Sequence, residues 1–211
     1  DADLFRAIST FPGSNQVDEG SRITVRGGDA NEVLTILDQA SLYNPFVFDD
    51  DFNTSSYTTI NPWGLKGINF SSGGFSAKFG NVLSAVLDLK TYEMPQGTGA
   101  VAWLGLANIG LSGVYLSKDK NFGATVDIGQ TILEPYFKIN GYLTDRYDPI
   151  PLARGIGGSL SYKPSTSSNI KFIFDYSQDK IGVRNTGPSF DGFFNSGSKT
   201  VFSNIKYSAG L

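Results

Sequence analysis

Residues 122–130 read FGATVDIGQ. In an extended chain successive side chains point to opposite faces, so Phe122, Ala124, Val126 and Ile128 share one face while Gly123, Thr125, Asp127 and Gly129 share the other. The same alternation runs outward in both directions. GIGGSLSY at 155–162 sets Ile156, Leu160 and Tyr162 against Gly157, Ser159 and Ser161. Beyond KPSTSSN at 163–169, which reads as a turn, Ile170, Phe172, Phe174 and Tyr176 oppose Lys171, Ile173, Asp175 and Ser177. Val201, Ile205 and Tyr207 then oppose Asn204, Lys206 and Ser208, and upstream Lys118-Asp119-Lys120-Asn121 reads as a turn. A single strand of this kind is ordinary for a half-buried sheet. Four in succession, apolar and aromatic on one side and small or polar on the other, fit a transmembrane β-barrel with a wet lumen. On alternation alone a soluble sandwich or barrel fits as well.

Composition narrows the function classes. Of 211 residues only 18% are charged, against the usual quarter, while 16 Phe, 10 Tyr and 25 Gly mark a strand- and turn-rich chain with surface that does not all face water. A net charge of −3 with scattered Lys and Arg offers no basic stripe, which excludes nucleic acid as a partner. With no Cys and no His there are no disulfides, no thiolate sites and none of the commonest metal ligand or general base. The opening DADLFRAIST has neither the basic nor the apolar region of a signal peptide, and no run of 18 apolar residues occurs.

The first half reads differently. DLFRAISTFPG places Leu4, Phe5, Ile8 and Phe11 on one helical face, with Asp3 as N-cap and Pro12-Gly13 as the stop. RITVRG and EVLTILD read as strands, a polar loop runs from Tyr43 to about Pro62, and GINFSSGGFSAKFGNVLSAVLDLKT gives two strands about a Gly-rich turn. The change of character at MPQGTG, 94–99, separates a small α+β unit at 1–93 from antiparallel strands at 94–211.

Taken in order, DLFRAISTFPGS, ITVRGGDANEVLTILDQASLYNPF and GGFSAKFGNVLSAVLDLKT resemble the plug domain of TonB-dependent outer-membrane receptors, in the style common in Bacteroidota. The resemblance covers residues 3–92. It rests on Arg26-Gly27 after a strand, on Leu37-Asp38 at a strand end, and on Gly73, Gly74 and Phe79-Gly80 before the strand that leads to the barrel. Gln39 departs from the pattern where the family has Gly; if that turn needs a positive φ, Gln strains it by about 1 kcal/mol. The resemblance implies a plug followed by the first strands of an incomplete transmembrane barrel, since about 22 strands close a plugged barrel and residues after 93 supply about six at about ten residues each plus connections. It implies a receptor that binds a scarce nutrient and imports it to the periplasm with TonB-supplied energy, and not an enzyme. The implied partners are outer-membrane lipid, the TonB energy complex through a segment ahead of the plug that this sequence lacks, and, as an option, a surface lipoprotein. Arg26 is expected to anchor the plug by hydrogen bonds to carboxylates or carbonyls.

The expected substrate surface is the apical plug loop with Tyr43, Asn44, Phe46, Asp49, Asp50, Asp51, Tyr57 and Trp63, whose aromatics offer stacking faces or, alternatively, pack the plug against the wall. No cofactor is expected. DDDFNTS places Asp49, Asp51, Asn53 and Ser55 at calcium-loop spacing, but Thr54 stands where Gly is required and Ile60 where a bidentate Glu is required. Ser168 and Ser196 each precede a Lys by three, yet are expected in turns, without the helix a Ser-Lys nucleophile needs. Two rivals from other classes are a structural or adhesive all-β surface protein and a passive pore of about eight strands.

Overall fold

The computed structural model describes residues 4–16, 21–48, 57–80, 82–187 and 190–209. The chain forms two compact units, Asp1–Tyr92 and Glu93–Leu211.

The first unit begins with α1 (Leu4–Ile8), whose Leu4, Phe5 and Ile8 are all buried. The expected helical face is therefore real but one turn shorter, because the chain leaves the helix before Phe11 and Gly13 takes φ +82°. Phe11 instead lies beside Phe70, ring centroids 5.9 Å apart. Asp3 lies outside the described residues. Strands β1 (Ser14–Gln16) and β2 (Ile23–Val25) pair antiparallel. A mixed sheet follows: β3 (Val33–Leu37) and β4 (Ala40–Leu42) form a hairpin, then β5 (Phe46–Val47) and β6 (Tyr57–Thr58) make a separate ribbon. Next, β7 (Leu65–Ser71) pairs antiparallel with β8 (Ala85–Thr91), which also runs parallel to β3. As one of the two interior strands of the order β4-β3-β8-β7, β8 reads as a near-continuous apolar run, and Ala85, Val86, Leu87 and Leu89 are all at most 2% exposed. Ala85, Leu87 and Leu89 join Leu4, Phe5, Ile8, Ile23, Val25 and Phe46 in the buried interior of this unit. Each fully buried aliphatic or aromatic side chain of this kind contributes about 1.5–3 kcal/mol.

The β3–β4 hairpin turns on Asp38 and Gln39 alone, with φ +46° and +73°. A two-residue turn with both central residues left-handed matches the twist of its strands and favours Asn-Gly or Asp-Gly. Gln39 therefore carries the strain foreseen for it, and Gln39→Gly is expected to stabilise the hairpin by about 1 kcal/mol, read as a rise in the urea midpoint. An unchanged midpoint would mean that the turn relaxes around Gln at no cost.

The second unit is one antiparallel sheet in sequence order: β9 (Gly99–Leu104), β10 (Asn108–Leu116), β11 (Phe122–Thr131), β12 (Leu152–Ser165), β13 (Ser168–Gly187) and β14 (Phe190–Ala209). Register confirms the alternation across strands: Val126 opposes Gly158, which opposes Phe174, while Thr125 opposes Ser159, which opposes Ile173. The Lys118–Asn121 turn forms as read, with Lys120 at φ +58°. The Ser117 hydroxyl and the Asn121 backbone and side chain donate to Asp119 and hold its carboxyl below the ordinary aspartate value.

Two readings change. The turn expected over 163–169 shrinks to two residues between Ser165 and Ser168, because β12 and β13 continue pairing to their ends. Ser168 and Ser196 accordingly lie in strands and not in turns. The connection 132–151 holds two short helices, α2 (Glu134–Ile139) and α3 (Tyr142–Arg146). Pro135 suits the first turn of α2, Glu134 pairs with Lys138 one turn on, and Phe137 is buried with its ring 5.2 Å from that of Tyr147.

Candidate functional site

Asp38 is 3% exposed at its tight turn. Its backbone N–H donates to Leu89 O at 2.9 Å, its Oδ1 accepts from the Thr91 N–H at 3.2 Å, and its Oδ2 accepts from the Thr91 hydroxyl. The turn is thus tied to the far end of β8. Arg26, at φ +53°, donates its N–H to Gly13 O at 2.8 Å. A Cβ at Gly73 would stand 2.7 Å from Arg26 Nη1, so that glycine makes room for the guanidinium. Gly27 and Gly74 take φ +77° and +66°, values that side-chain-bearing residues rarely adopt, whereas a Cβ at Gly80 would meet open space.

Of the expected contact residues, Tyr43 is 90% and Trp63 84% exposed, and Tyr57, in β6, is also exposed. Trp63 is presented by a single 3-10 turn, Pro62–Gly64, capped by Asn61 Oδ1 accepting from the Trp63 N–H at 3.0 Å. Asn44 is half-buried, with its Oδ1 accepting from Arg22 Nη2 at 2.9 Å. Phe46 departs from the expectation. It lies in the plug interior, its ring centroid 4.8 Å from that of Phe5 and its face 4.6 Å from the Arg22 guanidinium carbon. The cause is the β5–β6 ribbon: Pro45 O accepts from the Thr59 N–H at 2.8 Å and the Thr58 hydroxyl at 3.0 Å, which turns the next side chain inward. Asp49, Asp50, Asp51, Asn53 and Ser55 lie outside the described residues.

Sequence reading missed Arg22. It is 7% exposed and binds Asn31 Oδ1 at 3.2 Å as well as Asn44, joining two loops of the first unit. A charged residue directly ahead of the apolar ITV strand was the available signal.

In the second unit, the face opposite the apolar one carries Asp127, Asp175, Asp179, Lys171 and Lys206 among Ser, Thr and Gly. Ser112 donates to Asp127 Oδ1 at 2.7 Å, and the Ser198 hydroxyl donates to Asp179. The segment leading into β9 lies on this same face. Asn169 Nδ2 donates to Glu93 Oε2 at 2.7 Å, Lys206 Nζ donates to Glu93 Oε1, and a Cβ at Gly123 would be 2.4 Å from Pro95 Cδ. Partial burial pushes the Glu93 carboxyl upward, but the Lys206 hydrogen bond and charge, the Asn169 amide and the Lys171 charge outweigh it and hold it below the ordinary value. A carboxylate with a lowered folded-state pKa adds stability above its unfolded value and loses it as pH falls through the folded one. Glu93→Gln is therefore expected to lower the full receptor's thermal stability at pH well above the ordinary glutamate range, with the two proteins converging, and the variant's acid limb flatter, as pH falls below that range. Parallel acid limbs for the two proteins would count against the ion pair.

Comparison with known proteins places these features. Residues 2–86 match the family model described as TonB-dependent Receptor Plug Domain. A search of curated proteins finds no match. Among solved structures the chain is similar to the ferric enterobactin receptor PfeA of Pseudomonas aeruginosa, at 12% identity and TM-score 0.53, covering 96% of this chain and 43% of that one. It is likewise similar to the siderophore receptor PirA of the same organism, at 15% identity and TM-score 0.51, covering 96% and 38%. The chain thus spans less than half the length of the receptors it matches. Residues 2–86 are thus a TonB-dependent receptor plug domain, followed by an antiparallel sheet that resembles part of a receptor barrel, and the two together place the chain in the bacterial outer membrane.

Proposed function

We propose that the protein acts as a receptor for energised import, in which a scarce nutrient binds the outward surface of the plug and passes to the periplasm when the inner-membrane TonB complex works on the plug. The plug match over residues 2–86, followed directly by a sheet with one apolar and one polar face, carries this reading. A protein of this kind performs no chemistry on its cargo. Tyr43, Tyr57 and Trp63 supply stacking surface and Asp49, Asp50 and Asp51 supply charge, a combination that suits a metal chelate or other polar ring-bearing nutrient. An iron chelate leads the substrate classes because the two similar receptors are named for such cargo.

The test is uptake of labelled ferric chelates, cobalamin, glycans and peptides by cells carrying the full receptor, with and without a proton uncoupler. Import of one class that stops on uncoupling is the expected result. Tyr43→Ala with Trp63→Ala is expected to weaken binding of that class by about tenfold or more, as the loss of two stacked rings at about 0.5–1.5 kcal/mol each implies, with unchanged receptor in the outer membrane. Unaltered binding would remove the residue 43–63 surface from the site. Import indifferent to the uncoupler would remove energy coupling.

A further inference from the structure

The connection 132–151 is the longest between neighbouring strands of the second sheet, whereas those at 117–121 and 166–167, at the opposite end of the strands, are short. Longer loops face the exterior in such barrels, so α2 and α3 stand on the outward side. They meet at Asn140-Gly141, and nowhere else in the sequence does glycine follow asparagine. Glycine leaves its own backbone nitrogen uncrowded and free to reorient. Gly141 is exposed, and a Cβ there would meet nothing within 4 Å. Neither the residue nor its surroundings therefore hinder an approach of that nitrogen to the Asn140 side-chain amide.

The same joint carries its own restraint. Asn140 caps α2 with ψ 72°, and its backbone N–H and Nδ2 both donate to Tyr136 O, at 3.1 and 3.0 Å. Gly141 O in turn accepts from the N–H and the hydroxyl of Thr144, at 3.2 and 2.6 Å. Closing a ring between Gly141 N and Asn140 Cγ requires the last turn of α2 to open first. That opening costs little. The helix has six residues, too few to be stable alone, and rests on Phe137 against Tyr147 and on the exposed Glu134–Lys138 pair. The chain's Asp-Gly pair, Asp191-Gly192, has the chemistry to close the same ring but is held in the β14 ladder opposite Thr186 and Asn185.

We propose that Asn140-Gly141 is a site of spontaneous deamidation, gated by α2, that loosens this outward connection irreversibly. When the turn opens, Gly141 N gives its proton to solvent and attacks Asn140 Cγ. The Cγ–Nδ2 bond breaks, and the nitrogen takes up a proton and leaves as ammonia. Water then opens the cyclic imide at either carbonyl, giving an aspartyl residue or, where the main chain runs on through the former side chain, an isoaspartyl one. The aspartyl product cannot restore the cap, because a carboxylate accepts but does not donate and its charge faces the negative end of the helix. The isoaspartyl product adds a methylene to the main chain between α2 and α3. The far end of the connection stays fastened, since the Asp148 N–H donates to Gly182 O and the Gly182 N–H to Pro149 O, both at 3.1 Å.

The full receptor in detergent micelles is held in warm, mildly alkaline buffer, sampled over days and mapped by peptide mass spectrometry, with isoaspartate counted by enzymatic methylation. Conversion is expected at Asn140 well ahead of every other asparagine and of Asp191. Gly141→Ala is expected to slow it by about tenfold, because a Cβ restricts the attacking residue. Tyr147→Ala is expected to speed it by about fivefold, the factor that a lost ring pair of about 1 kcal/mol gives. Asn140→Asp is expected to lose hydrogen-exchange protection at 137–140 while β11 and β12 keep theirs, which also shows that the variant folds. Conversion no faster at Asn140 than elsewhere, an unchanged rate in Gly141→Ala or Tyr147→Ala, or undiminished protection in Asn140→Asp would each overturn the inference.

Discussion

The Phe174→Arg substitution is expected to cost the receptor about 3 kcal/mol of stability in a bilayer, within the range of about 2–4 kcal/mol for a cation at the midplane of a barrel's lipid face. Phe174 lies in β13 on the apolar face, opposite Gly158 on one side and Ser203 on the other. Through Gly158 it is level with Val126, halfway along β11 between Phe122 and Gln130, the depth at which a cation is farthest from water. Thr200→Arg is the paired control: Thr200 opposes Ser177 on the inner face, where water can solvate the charge, and the expected loss is much smaller. Urea unfolding of both variants in lipid bicelles, with matched slopes, gives the comparison. Equal losses, or a larger loss at Thr200, would overturn the assignment of faces on which the import reading depends.

Asp38→Ala is expected to destabilise the plug by a similar amount, about 3 kcal/mol, for reasons of the opposite kind. The carboxylate accepts from both the backbone and the hydroxyl of Thr91 while nearly fully buried, so alanine strands two donors. Alanine also tolerates the left-handed φ of +46° less well than aspartate. Asp38→Asn keeps one acceptor and the backbone tolerance, and is expected to lose about half as much. Hydrogen exchange of the full receptor locates the effect: protection should fall at β3, β4 and the end of β8 and persist in β9–β14. Loss spread evenly over both units would indicate general unfolding and not a broken tie at Thr91.

The parts of the fold legible in the sequence are those in which one periodicity continues long enough to outweigh local exceptions. Residues 122–129 alternate without a break, 170–177 do so with Ile173 as the exception, and each strand's neighbour repeats the pattern, so the sheet and its two faces could be read directly. EVLTILD and AVLDLKT were legible for another reason, since an interior strand needs apolar residues on both sides. What escaped was short. The two-residue strands at Phe46 and Tyr57 exist only because Pro45 O collects donors from Thr58 and Thr59, a contact more than ten residues apart in the chain. Phe46 could not be separated from Tyr43 by type, because exposed and buried aromatics look alike until the backbone turns one of them inward. The helices at 134–146 are likewise too short to be stable by themselves and rest on Phe137 packing against Tyr147. Gln39 was the opposite case: a residue out of place in its turn, whose strain is visible in the φ of +73°.

Glu93 and Pro95 give the entry to the barrel a mechanical character. A hinge concentrates bending at one free joint, whereas a chain fastened at several points spreads it. Between Glu93, held by Asn169 and Lys206, and the start of β9, Pro95 rests over Gly123. A load arriving along the chain at Glu93 therefore meets β13 and β14 through side chains before it meets β9 through the backbone. Tension is shared among strands far apart in sequence, and the first strand is shielded from being peeled away from its neighbour by its own leading end.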